Sequence, residues 1–180
     1  GPAVPRMVIE DFALNLELFR LINNARHPLL DVFFTHFAYL GSGYVLFPLL
    51  IFLFIFRKEK VKPLILAIML ETVLVISLKT FFNQPRPAIL LEDVNLLFPL
   101  HWRSFPSGDT AMAFTIATVL SHGEKLHIKA ILFLYAFLIG YERIYAGVHF
   151  PLDVFVGALI GIICGIISLK YSKGGVYERN

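Results

Sequence analysis

The chain has 180 residues, 57% of them hydrophobic and 16% charged, with mean hydropathy +0.73. Soluble domains run nearer 25% charged, so composition excludes a soluble globular class and points to one domain embedded in a bilayer. The formal net charge of +3 is modest, no nucleic-acid partner is expected, and the single Cys164, without paired Cys or His at metal-ligand spacing, excludes a disulfide framework and predicts neither metal nor cofactor.

Residues 1–6, Gly-Pro-Ala-Val-Pro-Arg, have the look of a cleavage and cloning remnant, which sets the native start at Met7. Asp11, Asn15, Glu17 and Arg20 interrupt residues 7–27, so no cleavable signal is predicted there. Within 8–24, Ile9, Phe12, Leu16, Phe19 and Ile22 share one helical face. Two readings fit that face, an interfacial amphipathic helix and a short helix packed on the bundle. Residues 28–40, broken by Asp31 and His36, are too few to span and predict an interfacial or re-entrant helix ended by Gly41-Ser-Gly43.

Residues 44–56 are almost wholly apolar and closed by Arg57-Lys58-Glu59-Lys60, which gives a short first span. A second span covers 63–82 with Glu71 near its middle, where a charge must face the bundle interior or be protonated. A hydrogen bond to a neighbouring helix is the simpler expectation for Glu71, a functional role the other. Residues 83–105 form the longest loop, kept from regular helix by Pro85, Pro87 and Pro99, with His101 and Trp102 suited to the membrane interface. A third span runs from Pro106-Ser107 to about Leu120, a polar turn fills 121–129, and the fourth and fifth spans cover about 128–142 and 152–169. Gly157, Gly161 and Gly165 make a small-residue stripe for close helix packing. The predicted fold is an all-α polytopic bundle of about five spans plus N-terminal interfacial helices. It occupies 7–172 as one domain, followed by a cytoplasmic tail at 173–180.

Alternating spans put Lys79, Ser107, Arg143 and His149 at one membrane face. The other face carries Arg57, Lys58, Lys60, Lys62, Lys125, Lys129, Lys170, Lys173 and Arg179. The positive-inside rule makes that cationic face cytoplasmic. A bacterial inner-membrane protein is expected, its site turned to the periplasm or the outside.

Three clusters carry the chemistry. Lys79, Arg86 and Arg143 aim three cations at one place, a conflict that a bound dianion removes. Arg offers a fork matched to phosphate oxygens and Lys a point charge. Ser107 and Gly108 open a helix, where free N–H groups favour an anion. His149 supplies a nucleophile or base, and Asp153 four residues on would hold its far ring nitrogen. Taken singly, His149 reads as an interfacial histidine and Asp153 as a helix cap; together the clusters read as a phosphate-cleaving site.

These clusters resemble the signature of the type 2 phosphatidic acid phosphatase superfamily of membrane lipid phosphatases: Lys-x6-Arg-Pro, then Pro-Ser-Gly-His, then Ser-Arg-x5-His-x3-Asp. Lys79, Arg86, Pro87, Arg143, His149 and Asp153 match it, and the likeness covers roughly 62–170. It implies metal-independent hydrolysis of a membrane lipid phosphate or diphosphate. His149 would form a phosphohistidine, Asp153 would orient it, and Lys79, Arg86, Ser107, Gly108 and Arg143 would hold the phosphate.

Two positions depart from the pattern. Glu142 replaces the Ser before Arg143, where an anion is expected to pair with a cation. Asp109 stands where the family's leaving-group acid is His. Among three cations an Asp should be mostly ionised and a poor acid. Three readings stay open: an Asp whose pKa rises in the lipid complex, a preference for leaving groups that need little protonation, or an engineered replacement that traps substrate. Lipid A 1-phosphate, undecaprenyl diphosphate and phosphatidylglycerol phosphate are the candidate substrates. The alternative function is a catalytically weakened lipid-phosphate binding or transport protein. Trp102, Arg103 and Arg26 are expected to read the headgroup or anchor the interface.

Overall fold

The structure, a computed structural model, describes residues 7–177, with side chains through 172; the remnant expected at 1–6 and residues 178–180 of the expected tail lie outside the described residues. The described chain is all-helical. The helices are α1 (Ala13–Asn23), α2 (Pro28–Phe37), α3 (Leu46–Phe56), α4 (Val61–Phe82), the short α5 (Pro87–Leu90), α6 (Gly108–Ser121), α7 (Leu126–Tyr145) and α8 (Pro151–Tyr177). A helix lies within each predicted span and each predicted N-terminal segment. The loop expected at 83–105 gains one helical turn at α5, where Pro87 takes the first helical position and its missing N–H costs nothing.

Two stretches are long and apolar enough to cross a membrane, Lys58–Phe82 at mean hydropathy 2.1 and Pro151–Ser172 at 2.4. Pro28–Gly41 and Gly43–Phe56 pass the same test only together, bent by 60° at the Gly-Ser-Gly break. The interfacial segment and the short first span of the sequence reading thus reach the length and hydropathy of one span only as a bent pair.

Helix α6 is the axis of the bundle, packed by α4, α7 and α8. Its 14 residues reach about 21 Å, short of a hydrocarbon core of about 30 Å. It needs no lipid-facing surface: Thr110 to Ala113 and Thr115 to Val119 are all buried. Met112, Ile116 and Val119 pack against Leu53 of α3 and Leu64 and Ala67 of α4. On the other side α8 meets α6 through its glycine stripe. A Cβ at Gly157 would lie 2.6 Å from the Ser107 carbonyl, one at Gly165 2.7 Å from Thr118 Cγ2, and one at Gly161 would strike the Ala111 carbonyl. Backbone contact this close is what small residues supply where lipid gives no hydrophobic drive between helices.

Helix α1 packs on α7 and α8. Phe19 is fully buried against Phe150, with ring centroids 5.4 Å apart, while Leu14 and Leu21 point outward, each 70% exposed. Helix α1 is thus packed on the bundle, the second of its two readings, with an apolar back left exposed. Phe12, placed by periodicity on the inner face, is exposed. Buried Glu71 accepts from Thr72 Oγ1 of its own helix at 3.2 Å, not from a neighbouring helix as expected, because α4 meets α6 and α8 there through aliphatic side chains. At the end remote from the motifs, Glu124 takes Lys60 Nζ at 2.7 Å and Arg57 Nη2 at 2.6 Å, tying α4 to the α6–α7 turn.

Gly161→Val should cost about 3 kcal/mol through backbone overpacking. Gly43→Ala, whose Cβ meets nothing within 4 Å, should be near neutral. Melting temperatures in one detergent check the contrast.

Candidate active site

Four pieces of chain converge at one end of the bundle: the last turn of α4, the loop 83–107, the end of α7 with the turn 146–150, and the first turn of α8. Pro85 and Trp102 pair as an isolated antiparallel bridge. The Ser104 N–H donates to the Gln84 carbonyl at 3.0 Å, and the Arg86 N–H to His101 at 2.8 Å. The loop is thereby folded back, and its carbonyls point at the cations. Lys79 Nζ donates to the Arg103 carbonyl at 2.6 Å, and Arg86 Nε to Trp102 at 2.6 Å.

His149 is 3% exposed. Its Nε2 lies 3.2 Å from Arg86 Nη1 and its Nδ1 3.3 Å from Asp153 Oδ2. A guanidinium only donates, so Nε2 is the lone-pair nitrogen and Nδ1 carries the proton. That is the tautomer a nitrogen nucleophile needs. Burial first, then the charges of Arg86, Lys79 and Arg143, hold the imidazole pKa well below its ordinary 6.5. Burial also brings Arg86 down to about 10, still cationic at neutral pH.

Asp153 makes the contacts that both sequence readings named. Its Oδ2 reaches back to the Phe150 N–H at 2.9 Å, the reciprocal half of a helix cap, and holds His149 as well. Ser104, which the sequence reading missed, donates its hydroxyl to the same oxygen at 2.5 Å. The N–H of Ser107 bonds the Asp153 carbonyl at 3.0 Å, so the N-termini of α6 and α8 meet. Ser107 is fully buried, and its Oγ accepts from the Thr110 N–H at 3.3 Å. It is the α6 N-cap, as its place before Gly108 requires. The Lys79 Cε approaches Gly108: a Cβ there would lie 3.9 Å away.

Both departures land on Arg143. Glu142 takes Arg143 Nε at 2.6 Å and Nη2 at 2.7 Å, and Asp109 Oδ2 lies 3.3 Å from Nη1. The pairing expected for Glu142 is present. Asp109 is 39% exposed through its side chain and lines, with Arg143, a cavity of about 330 Å³. Tyr39 and Tyr44 from the α2–α3 bend and Phe98 and Leu100 from the long loop complete its apolar wall. Arg26 does not join the cavity. It bonds Asp31 at 2.9 Å and the Tyr145 carbonyl at 2.9 Å, and stacks 4.5 Å over the Tyr145 ring. Among the described residues no three His, Cys, Asp or Glu side chains are grouped to hold a metal.

Comparison with known proteins gives a concordant set. The PAP2 superfamily model matches residues 60–175. An undecaprenyl-diphosphatase of Sulfolobus acidocaldarius is 29% identical over 94% of this chain and 84% of its own length. The undecaprenyl-diphosphatase BcrC of Bacillus subtilis is 31% identical over 88% and 84%, and a lipid A 4'-phosphatase of Porphyromonas gingivalis 30% identical over 86% and 72%. A crystal structure of a transmembrane PAP2 type phosphatidylglycerolphosphate phosphatase from Bacillus subtilis superposes with TM-score 0.77 at 23% identity, over 89% of this chain and 85% of that one.

The depressed imidazole pKa sets a sign for stability. Below pH 6.5 the unfolded chain protonates His149 while the folded chain resists, so folding weakens as pH falls and this contribution vanishes above that range. Between pH 7.5 and 5.5 the melting temperature should fall less in His149→Gln than in the parent.

Proposed function

The chain belongs to the PAP2 superfamily, and on that premise we propose that it is an integral membrane phosphatase that hydrolyses a lipid diphosphate, undecaprenyl diphosphate foremost, at the extracytoplasmic face. Its five spans would be the α2–α3 pair, α4, α6, α7 and α8. The observation that carries the reading is His149: its Nε2 lone pair faces Arg86, and its Nδ1–H is held by Asp153. The apolar cavity ends at Asp109 and Arg143, which would let a prenyl or acyl tail stay in lipid while the headgroup meets Arg143.

Nε2 attacks the terminal phosphorus. The bond from phosphorus to the lipid-side oxygen breaks, and its electron pair leaves with undecaprenyl phosphate. Lys79, Arg86, Arg143 and the α6 N-terminus at Ser107 and Gly108 compensate the charge on the transferring group. Asp153 stabilises the imidazole as it turns cationic. Water then attacks the phosphohistidine, gives its proton to Asp109, and the phosphorus–nitrogen electrons return to Nε2 as phosphate departs.

Asp109 selects the substrate class. Its Oδ2 lies 3.3 Å from Arg143 Nη1, a pairing that favours the carboxylate, so a leaving group stable as an anion suits it better than the alkoxide of phosphatidylglycerol phosphate. Two relatives named undecaprenyl-diphosphatase support that choice. Lipid A bearing a 1-phosphate, whose anomeric oxygen also leaves well, is the second candidate.

Phosphate release from the three lipids, for the parent, His149→Ala and Asp109→His, tests this. The parent should favour the diphosphate, and His149→Ala should lose about 10³-fold or more. Asp109→His should gain most on phosphatidylglycerol phosphate. Folded protein that binds lipid at one per chain but releases no phosphate would instead be a binding or transport protein.

A further inference from the structure

Behind the His149–Asp153 pair lies a carboxyl group that the sequence signature does not include. Glu10, just ahead of α1, is fully buried. Its Oε2 accepts from Asn15 Nδ2 at 3.1 Å. Its Oε1 and the Oδ1 of Asp153 are both buried without a donor from the rest of the described protein. The two carboxyl groups are within hydrogen-bonding reach of each other. Two ionised carboxylates cannot bond, since each only accepts. One proton between them satisfies both orphan oxygens.

Glu10 is the group placed to carry it. Asp153 already has Ser104, Phe150 N–H and His149 on Oδ2, all of which favour its ionised form. Glu10 has only the Asn15 amide, and no cation pairs with it. Burial first, then the bond to Asp153 and its charge, push the Glu10 pKa up to about 11.

The segment is held for this purpose. Gln84, in the first motif's loop, accepts from the Ile9 N–H and donates to the Met7 carbonyl, both at 2.9 Å. Asn15 uses its amide nitrogen on Glu10 and its oxygen on the Leu152 N–H at 2.9 Å, inside the first turn of α8.

We propose that Glu10 is a positioning residue: as a neutral acid it donates a hydrogen bond to Asp153 Oδ1 and so fixes the carboxylate that orients His149. The role rests on the site reading above. It makes the N-terminal segment a working part of the site and not only a membrane anchor.

Glu10→Gln and Glu10→Met, both close in size, separate the possibilities in purified protein assayed with undecaprenyl diphosphate. Gln keeps a donor for Oδ1 and an acceptor for Asn15, whereas Met keeps only bulk. Gln should hold kcat within about threefold, and Met should lower it about tenfold or more with KM within about twofold. The infrared carbonyl band of a protonated carboxylic acid should be present at neutral pH in the parent and diminished in Glu10→Gln, a readout that does not depend on Met folding. Loss of activity in folded Gln as deep as in Met, or a carbonyl band unchanged between parent and Gln, overturns the proposal. So does full kcat in Met while His149→Ala is inactive. Activity retained in His149→Ala would instead remove the underlying site reading.

Discussion

A buried carboxylate must be given donors, and Asp153 has shaped its surroundings around that demand. It is fully buried at the first turn of α8, where its Oδ2 gathers the Ser104 hydroxyl, the Phe150 N–H and His149. Its backbone carbonyl holds the Ser107 N–H. The three separated clusters of the sequence therefore close on one residue. The loop folds back because Ser104 must arrive there, and α6 starts where it does because Ser107 is tied to α8. The histidine tautomer follows from Arg86, which donates to Nε2 and leaves the Nδ1 proton for Asp153 Oδ2.

The interior geometry serves the same point. The glycine stripe of α8 lets it lie against the α6 backbone, and that close approach is what brings Asp153 and Ser107 within one hydrogen bond. A wider spacing would leave both buried groups unpaired. The shortness of α6 belongs to the same arrangement. A central helix shielded by α4, α7 and α8 need not match the bilayer, so its N-terminus and the residues around it can sit below the membrane surface. Charge is managed locally there: Glu142 occupies two of the Arg143 nitrogens and Asp109 approaches the third.

Much of this was legible in the sequence because it is periodic or chemically rare. Long apolar runs marked α4 and α8, and charged residues at their ends stood out against the hydrophobic background. Lys79, Arg86, Arg143, His149 and Asp153 do converge. The residues that escaped notice are those whose meaning is set by distant contacts. Ser104 is one serine in a loop, and nothing local says that its partner is 49 positions away. Gln84 holds Ile9, the residue before Glu10, across more than seventy residues of chain. Arg26 shows the mirror case: a cation near an interface suggests a headgroup or an anchor, and its contacts with Asp31 and Tyr145 could not be read from the sequence. Glu71 sought a partner across helices and found Thr72 beside it.

The carbonyls of the long loop have a consequence for turnover. Lys79 and Arg86 rest on the Arg103 and Trp102 carbonyls, so a phosphate bound there, as proposed, would exchange one oxygen partner for another and gain only the difference. The same oxygens compete for the cations when the product is ready to go. On that reading inorganic phosphate would be pulled less tightly than three bare cations would pull it. The loop would then act as a competing ligand covalently attached to the protein, a ballast that trades ground-state affinity for a faster emptying of the pocket.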